Sequence, residues 1–323
     1  MCTSISFLSK DHYFGRTLDL EYSYDEKVVI TPRKYQFEFR YQKPVINHFA
    51  MIGMATVVND FPLYYEATNE KGLSMAGLNF PEKTVYKDFD HQKNNICPFE
   101  LIPWILSECE SVEEAKELLY STNVISTDFN DDFKSTPLHW MISDRDSSIT
   151  VECVDDGLKI YYNPVHTLTN SPEFPIQVFN LNNYMSLTCE EPESRFAKGF
   201  DFSKYSKGMG AIGLPGDNSS MSRFVRAVFT RLNSVCGESE NESVSQFFHI
   251  LGTVSQTKGT VKTGDSFVTT VYTSCCNTDK GIYYYTTYEN NQITAVNMHN
   301  ENLDTSDLLI YNLECKQQIN YQN

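Results

Sequence analysis

Cys2-Thr-Ser-Ile-Ser-Phe7 and Tyr13-Phe-Gly-Arg-Thr-Leu-Asp-Leu20 are the two runs on which the fold turns. Each alternates its side chains in the manner of a strand and the stretch between them is polar, so the pair predicts an antiparallel hairpin at the start of the chain. That hairpin sets Arg16 and Asp19 on the strand beside Cys2. Working outward, aromatic and β-branched runs at residues 28–41, 49–58 and 72–80 read as further strands. Helical spacing follows at residues 98–109, through Phe99, Ile102, Trp104, Ile105 and Leu106. Ser111-Val-Glu-Glu114 then has the form of a capping box ahead of Ala115, Leu118 and Leu119. Strand character returns at 139–142, 150–154 and 158–162, a second helix pair is expected at 220–232 and 243–254, and strands close the chain at 267–275, 282–287 and 293–296. The order strands, helices, strands, helices, strands suits two packed sheets with helices on their outer faces. No repeat, low-complexity tract or linker divides residues 1–323, which read as a single domain.

The composition, 41% hydrophobic and 21% charged over 323 residues, is that of an ordinary folded protein. Its 26 Lys and Arg against 42 Asp and Glu leave a net charge of −16. Such a field repels phosphate backbones and anionic bilayers, so neither nucleic acid nor membrane is an expected partner. Lys10, Asp11 and His12 interrupt any amino-terminal export signal, and the best apolar run, 49–58, falls short of the ~18 residues a bilayer span needs. A cytoplasmic protein is expected. Nine cysteines without a Cys-x-x-Cys motif read mostly as small buried hydrophobes, and the seven histidines lack metal-ligand spacing, so no metal is expected.

Several motif matches fail on context. Gly208-Met-Gly-Ala-Ile-Gly213 is followed by Leu214-Pro-Gly216, which cannot open the helix a pyrophosphate would need. Ser255-Gln-Thr-Lys258 and Lys262-Thr-Gly264 lie too close together for the serine enzymes that use such fragments on distant elements.

Cys2 follows the initiator directly, and a side chain that small permits removal of Met1. A thiol and a free α-amine would then share one carbon. An α-amine titrates at roughly 7.7 to 8.0 and a thiol near about 8.5, so one group can relay the other's proton and a single residue supplies nucleophile and base. Arg16 would favour the thiolate and Asp19 would hold the amine. Taken separately, an inert buried cysteine and a surface ion pair remain the competing readings.

Met1-Cys-Thr-Ser4, Phe14-Gly-Arg-Thr-Leu-Asp19, Asn69-Glu-Lys-Gly-Leu73, Ala76-Gly-Leu-Asn-Phe-Pro81, Leu138-His-Trp-Met-Ile-Ser143, Leu168-Thr-Asn-Ser-Pro172, Gly213-Leu-Pro-Gly-Asp217 with Ser222-Arg-Phe224, and Lys280-Gly-Ile-Tyr-Tyr-Tyr285 occur in one order along the chain. In this the sequence resembles the choloylglycine hydrolase family, which holds bile salt hydrolases and penicillin V acylases of the N-terminal-nucleophile (Ntn) hydrolase superfamily. The resemblance implies an α+β fold, a four-layer αββα sandwich of two antiparallel sheets flanked by helices.

The same resemblance makes Cys2 the nucleophile, flanked by Arg16 and Asp19. Asn79 and Asn170 help form the oxyanion site and Arg223 completes the polar cluster. No cofactor is implied, and a homotetramer is. Asn79 resembles the bile salt hydrolases, since the best-known penicillin V acylases carry tyrosine there, and Leu20 stands where some of them have tryptophan. The implied reaction is hydrolysis of conjugated bile salts through a thioester, releasing glycine or taurine, with Leu20, Val58, Tyr65, Phe129 and Phe133 facing the substrate. Penicillin V or acyl-homoserine lactone hydrolysis, or a non-enzymatic bile-acid-binding role, are the alternatives.

Overall fold

A computed structural model describes all 323 residues. The chain opens with β1 (Cys2–Leu8), β2 (His12–Leu20), β3 (Lys27–Thr31), β4 (Met51–Val58), β5 (Phe61–Asn69) and β6 (Ser74–Asn79). A short parallel pair, β7 (Asn94–Ile96) and β8 (Thr122–Val124), brackets helices α1 (Leu101–Glu108) and α2 (Val112–Tyr120). Then come β9 (Leu138–Ser143), β10 (Ser148–Val154), β11 (Gly157–Tyr162), β12 (Thr167–Leu168) and helices α3 (Phe174–Asn180), α4 (Ser220–Asn233) and α5 (Glu240–Gly252). A small hairpin of β13 (Lys262–Thr263) and β14 (Ser266–Phe267) precedes β15 (Thr269–Asn277), β16 (Ile282–Thr287), β17 (Thr294–Asn297) and β18 (Leu309–Asn312). The main strands make two antiparallel sheets, ordered β12-β1-β2-β15-β16-β17 and β11-β10-β9-β6-β5-β4-β3-β18.

Neighbouring residues on these strands enter different cores, because successive side chains point to opposite faces. On β6 Met75 packs toward α1 and α2 while Ala76 packs between the sheets. On β15 Cys275 packs toward α5 and Cys276 between the sheets. Three cores therefore separate four layers. One core, with Leu101, Ile105 and Ala115, lies between α1–α2 and the eight-stranded sheet, and a second, with Cys2, Phe14 and Tyr272, lies between the sheets. The third, with Ile5, Phe247 and Ile250, lies between the six-stranded sheet and α4–α5. The fold is the αββα sandwich that the sequence resemblance implies.

The differences from expectation have local causes. The strand read at 28–41 ends at Thr31, where Pro32 removes a ladder donor. Strand β5 was not anticipated; its Pro62 sits beside the first residue of the strand, the place a sheet tolerates it. Helix α3 was likewise not anticipated, and it accommodates Pro175 in its first turn. Ser111 caps α2 by accepting from Glu114 N–H, but the Glu114 carboxylate takes Glu110 N–H instead of closing the box.

Gly15 marks the closest approach in the β1–β2–β15 sheet: a Cβ there would stand 2.1 Å from the Ser274 carbonyl oxygen. Gly15→Ala is expected to cost roughly 3 kcal/mol or more, because the obstacle is strand backbone that cannot swing aside. Denaturant unfolding of the variant checks this.

Candidate active site

Antiparallel register builds the site around Cys2. In the β1–β2 hairpin Cys2 faces Leu18 and Ser4 faces Arg16, so residue 1 falls opposite Asp19, and Met1 and Asp19 exchange backbone hydrogen bonds of 2.6 and 3.0 Å. On the other side of β1, Ser4 faces Leu168. Continuing that register by two residues sets Asn170 opposite Cys2, and the Cys2 N–H donates to Asn170 Oδ1 at 2.9 Å. Residues 168 apart in the chain are thus brought together by strand register and joined by a side-chain hydrogen bond.

Cys2 is 2% exposed and its side chain belongs to the core between the sheets. Arg16 enters that layer and crosses it, donating from Nη1 to Tyr65 O at 3.2 Å and Gly77 O at 2.5 Å on the opposite sheet. Burial opposes its charge, but Cys2, Tyr272, Glu66 and Asp19 outweigh that and hold the guanidinium above its ordinary value.

Asp19 is fully buried and accepts from Thr270 Oγ1 at 2.7 Å and Thr17 Oγ1 at 3.1 Å. The irregularity in the β2–β15 ladder between Thr270 and Tyr272 lies beside it, a common use of bulges near functional residues. Burial raises the Asp19 carboxyl, against the pull of Arg223 and of the chain amine.

Arg223 reaches in from α4. Its Nη1 donates to Cys2 O at 2.5 Å and Thr3 Oγ1 at 2.7 Å, and its Nη2 to Asn170 Oδ1 at 2.7 Å. Burial lowers its pKa, with Asp19 and Cys2 opposing. One asparagine oxygen is thereby held between the Cys2 nitrogen and a guanidinium.

With its oxygen so engaged, Asn170 presents its amide nitrogen to Asn79 O at 2.7 Å. An amide nitrogen carries two protons, so one is left for another acceptor. Asn79 contributes as well. Phe80 N–H bonds Pro137 O across β9, and in an antiparallel ladder the next residue's groups point the other way. The Asn79 N–H therefore points to the side on which Asn170 meets its carbonyl. The Asn170 amide and the Asn79 N–H thus lie on one side of β6, and Asn170 also meets the Cys2 nitrogen, an arrangement suited to an oxyanion.

Glu66 was not anticipated. It is 2% exposed, accepts from Tyr272 and Tyr283 hydroxyls at 2.7 and 2.5 Å, and lies 3.8 Å from Arg16 Nε. Burial raises its carboxyl, against Arg16 and the two tyrosines. The only signal in the sequence is a glutamate inside Leu63-Tyr-Tyr-Glu-Ala67, on the strand that was missed.

The expected substrate-facing residues are distributed unevenly. Leu20 and Tyr65 pack against the inter-sheet core that holds Cys2, and the Tyr65 hydroxyl meets Thr56 Oγ1 at 2.9 Å. Val58 ends β4, half-buried, and the Phe133 ring lies 6.4 Å from Tyr24. Phe129 instead packs on Phe61 and Phe99, 5.8 and 5.2 Å away, against the helix-side core.

Residues 2–311 match the family model of linear amide C–N hydrolases, choloylglycine hydrolase family. The chain is similar to a bile salt hydrolase/transferase of Lactiplantibacillus plantarum, 50% identical over 98% of each chain. It is also similar to a bile salt hydrolase/transferase of Clostridium perfringens, 38% identical over the full length of both. Among solved structures, a mutant conjugated bile acid hydrolase from Clostridium perfringens superposes with a TM-score of 0.92 over 100% of both chains at 37% identity. A penicillin V acylase from Agrobacterium tumefaciens, at 20% identity, covers 96% of this chain and 91% of its own with a TM-score of 0.75, and shares the fold.

Proposed function

The chain belongs to the choloylglycine hydrolase family of linear amide C–N hydrolases, and from that premise we propose that it hydrolyses the amide of conjugated bile salts, releasing glycine or taurine. The observation that carries the reading is the clamp on Cys2, whose nitrogen and carbonyl are both fixed, through Asn170 Oδ1 and Arg223 Nη1.

In the working enzyme Met1 has been removed and the Cys2 nitrogen is a free amine. The Cys2 sulfur attacks the amide carbonyl while its proton passes to that amine. Negative charge collects on the former carbonyl oxygen, where the second Asn170 Nδ2 proton and the Asn79 N–H receive it. These donors favour the transition state over the substrate, which is what lowers the barrier. Breakdown of the adduct expels the amine product, which takes the proton back from Cys2. Water, deprotonated by the same amine, then cleaves the thioester and frees the bile acid. Arg16 stabilises the thiolate, Asp19 and Arg223 orient the amine, and the reaction needs no metal or organic cofactor.

Leu20, Val58, Tyr65 and Phe133 receive the steroid, with Phe129 anchoring the loop that carries Phe133 through its N–H bond of 3.0 Å to Phe133 O. Measuring freed amine from glycocholate, taurocholate and penicillin V tests the reading. Release from the bile salts is expected, and turnover of penicillin V alone overturns it.

A homotetramer and a cytoplasmic location complete the proposal, with residues 1–323 as one domain. Phe196, Phe202 and Tyr205 are 82%, 58% and 81% exposed, and the Phe196 and Phe202 rings lie 5.4 Å apart, an apolar patch of the kind that seeks a second copy. All nine cysteines are free, as a reducing compartment keeps them. No helix is long and apolar enough to cross a membrane, and the net charge of −16 disfavours nucleic acid. Native mass spectrometry should show a tetramer that Phe196→Ser with Phe202→Ser breaks into smaller species.

A further inference from the structure

His139 is fully buried on β9, between the two elements that carry the oxyanion asparagines. Its Nε2 lies 2.9 Å from Thr169 O, the residue before Asn170, and its Nδ1 lies 3.1 Å from Glu152 Oε1 on β10. Its ring stacks on Phe80, the residue after Asn79, with centroids 4.3 Å apart and planes 3° from parallel.

A backbone carbonyl is only an acceptor, so Nε2 carries a proton. Glu152 Oε1 accepts Phe174 N–H at 3.0 Å, and as an ionised carboxylate oxygen, which can only accept, it requires Nδ1 to be a donor too. Glu152 Oε2 meets no donor, which leaves Oε1 to take the whole burden of the buried carboxylate. Lys159 on β11 stands opposite Glu152 in the ladder, but its ammonium turns to Asp156, 3.9 Å away, and makes no ion pair with Glu152. Cys153 on β10, Tyr161 on β11 and Glu173 before α3 are further titratable groups around Glu152, and none of these three is a cation.

We propose that His139, protonated at both ring nitrogens and paired with Glu152, is the positioning residue that fixes Asn79 and Asn170 relative to each other through Phe80 and Thr169. This rests on the reading of those asparagines as the oxyanion site. A second-layer group of this kind acts on the transition state without touching substrate, so its loss should appear in kcat.

Glu152→Gln keeps the side chain's shape and an oxygen for Phe174 N–H, but removes the negative charge that favours a second proton on the ring. The variant is expected to lose about tenfold or more in kcat on glycocholate with KM little changed. Alkylation of Cys2 by iodoacetamide, which forms no oxyanion, should keep its rate, and Glu152→Asp should recover part of the loss. In the unaltered protein, nitrogen NMR of labelled histidine, assigned through His139→Gln, should show protons on both ring nitrogens at pH 7.5. A single protonated nitrogen, an unchanged kcat in Glu152→Gln, or a parallel fall in Cys2 alkylation overturns the proposal. Asn170→Ala, run alongside, separates the two readings: if it retains full kcat, the oxyanion assignment itself fails, whatever the NMR of His139 shows.

Discussion

A chain that keeps a residue ahead of Cys2, made with a non-cleavable amino-terminal extension, should turn over no bile salt while folding normally. The loss should be about 10⁴-fold or more, roughly 5.5 kcal/mol in the barrier. With Met1 in place the Cys2 nitrogen is a peptide N–H, which donates to Asn170 Oδ1 and has no basic lone pair to accept the thiol proton. Met1 also continues the β1–β2 ladder, exchanging backbone hydrogen bonds with Asp19, so its presence costs the fold nothing. The acceptor of the thiol proton and the donor to the leaving amine are lost together, while the thiol itself and the clamp from Arg223 survive. Intact-mass measurement alongside the amine-release assay checks this: a fully active preparation still carrying the extension would refute the mechanism. Cys2→Ser should show a comparable deficit with the fold retained, because a hydroxyl is far harder to deprotonate than a thiol.

Asn170→Ala should be the most damaging change outside Cys2. Removing one oxyanion donor costs about 10² to 10³ in kcat, and here the same side chain also aligns the Cys2 nitrogen and partners Arg223. Truncation leaves that buried guanidinium without one of its acceptors, so the deficit should reach the upper end of the range. Asn170→Asp separates the two contributions. It retains an oxygen for Cys2 and Arg223 but replaces the donor facing Asn79 O with an acceptor. A kcat within about tenfold of the parent in Asn170→Asp would show that alignment, not oxyanion stabilisation, is what this residue provides.

The hairpin that opens the chain was legible because its information is local. Alternation over residues 2–7 and 13–20 is enough to pair two strands, and pairing them is enough to set Arg16 and Asp19 beside the nucleophile. Asn79, Asn170 and Arg223 came through resemblance to a family, since no physical pattern within the chain links a strand end, a loop after a two-residue strand and the first turns of a distant helix. Glu66 escaped both routes. Pro62 obscured its strand, and a lone glutamate among aromatic residues says nothing of the two tyrosine hydroxyls that meet it from β15 and β16. Phe129, an aromatic side chain in an acidic stretch, reads as a rim residue, and the sequence did not show that the loop also packs it on Phe61 and Phe99.

What the sequence by itself determined is the chemistry available and its starting point: a cysteine at position 2, strands that bury both faces, and a net charge of −16. Which groups beyond the opening hairpin meet was decided by the tertiary structure. The register of β12 against β1 brings Asn170 to Cys2, the packing of α4 on the six-stranded sheet carries Arg223 to both, and the spacing of the two sheets lets Arg16 span them. The physical reason is that periodicity encodes which face a side chain occupies, whereas contacts between residues more than a hundred positions apart depend on how whole sheets and helices stack.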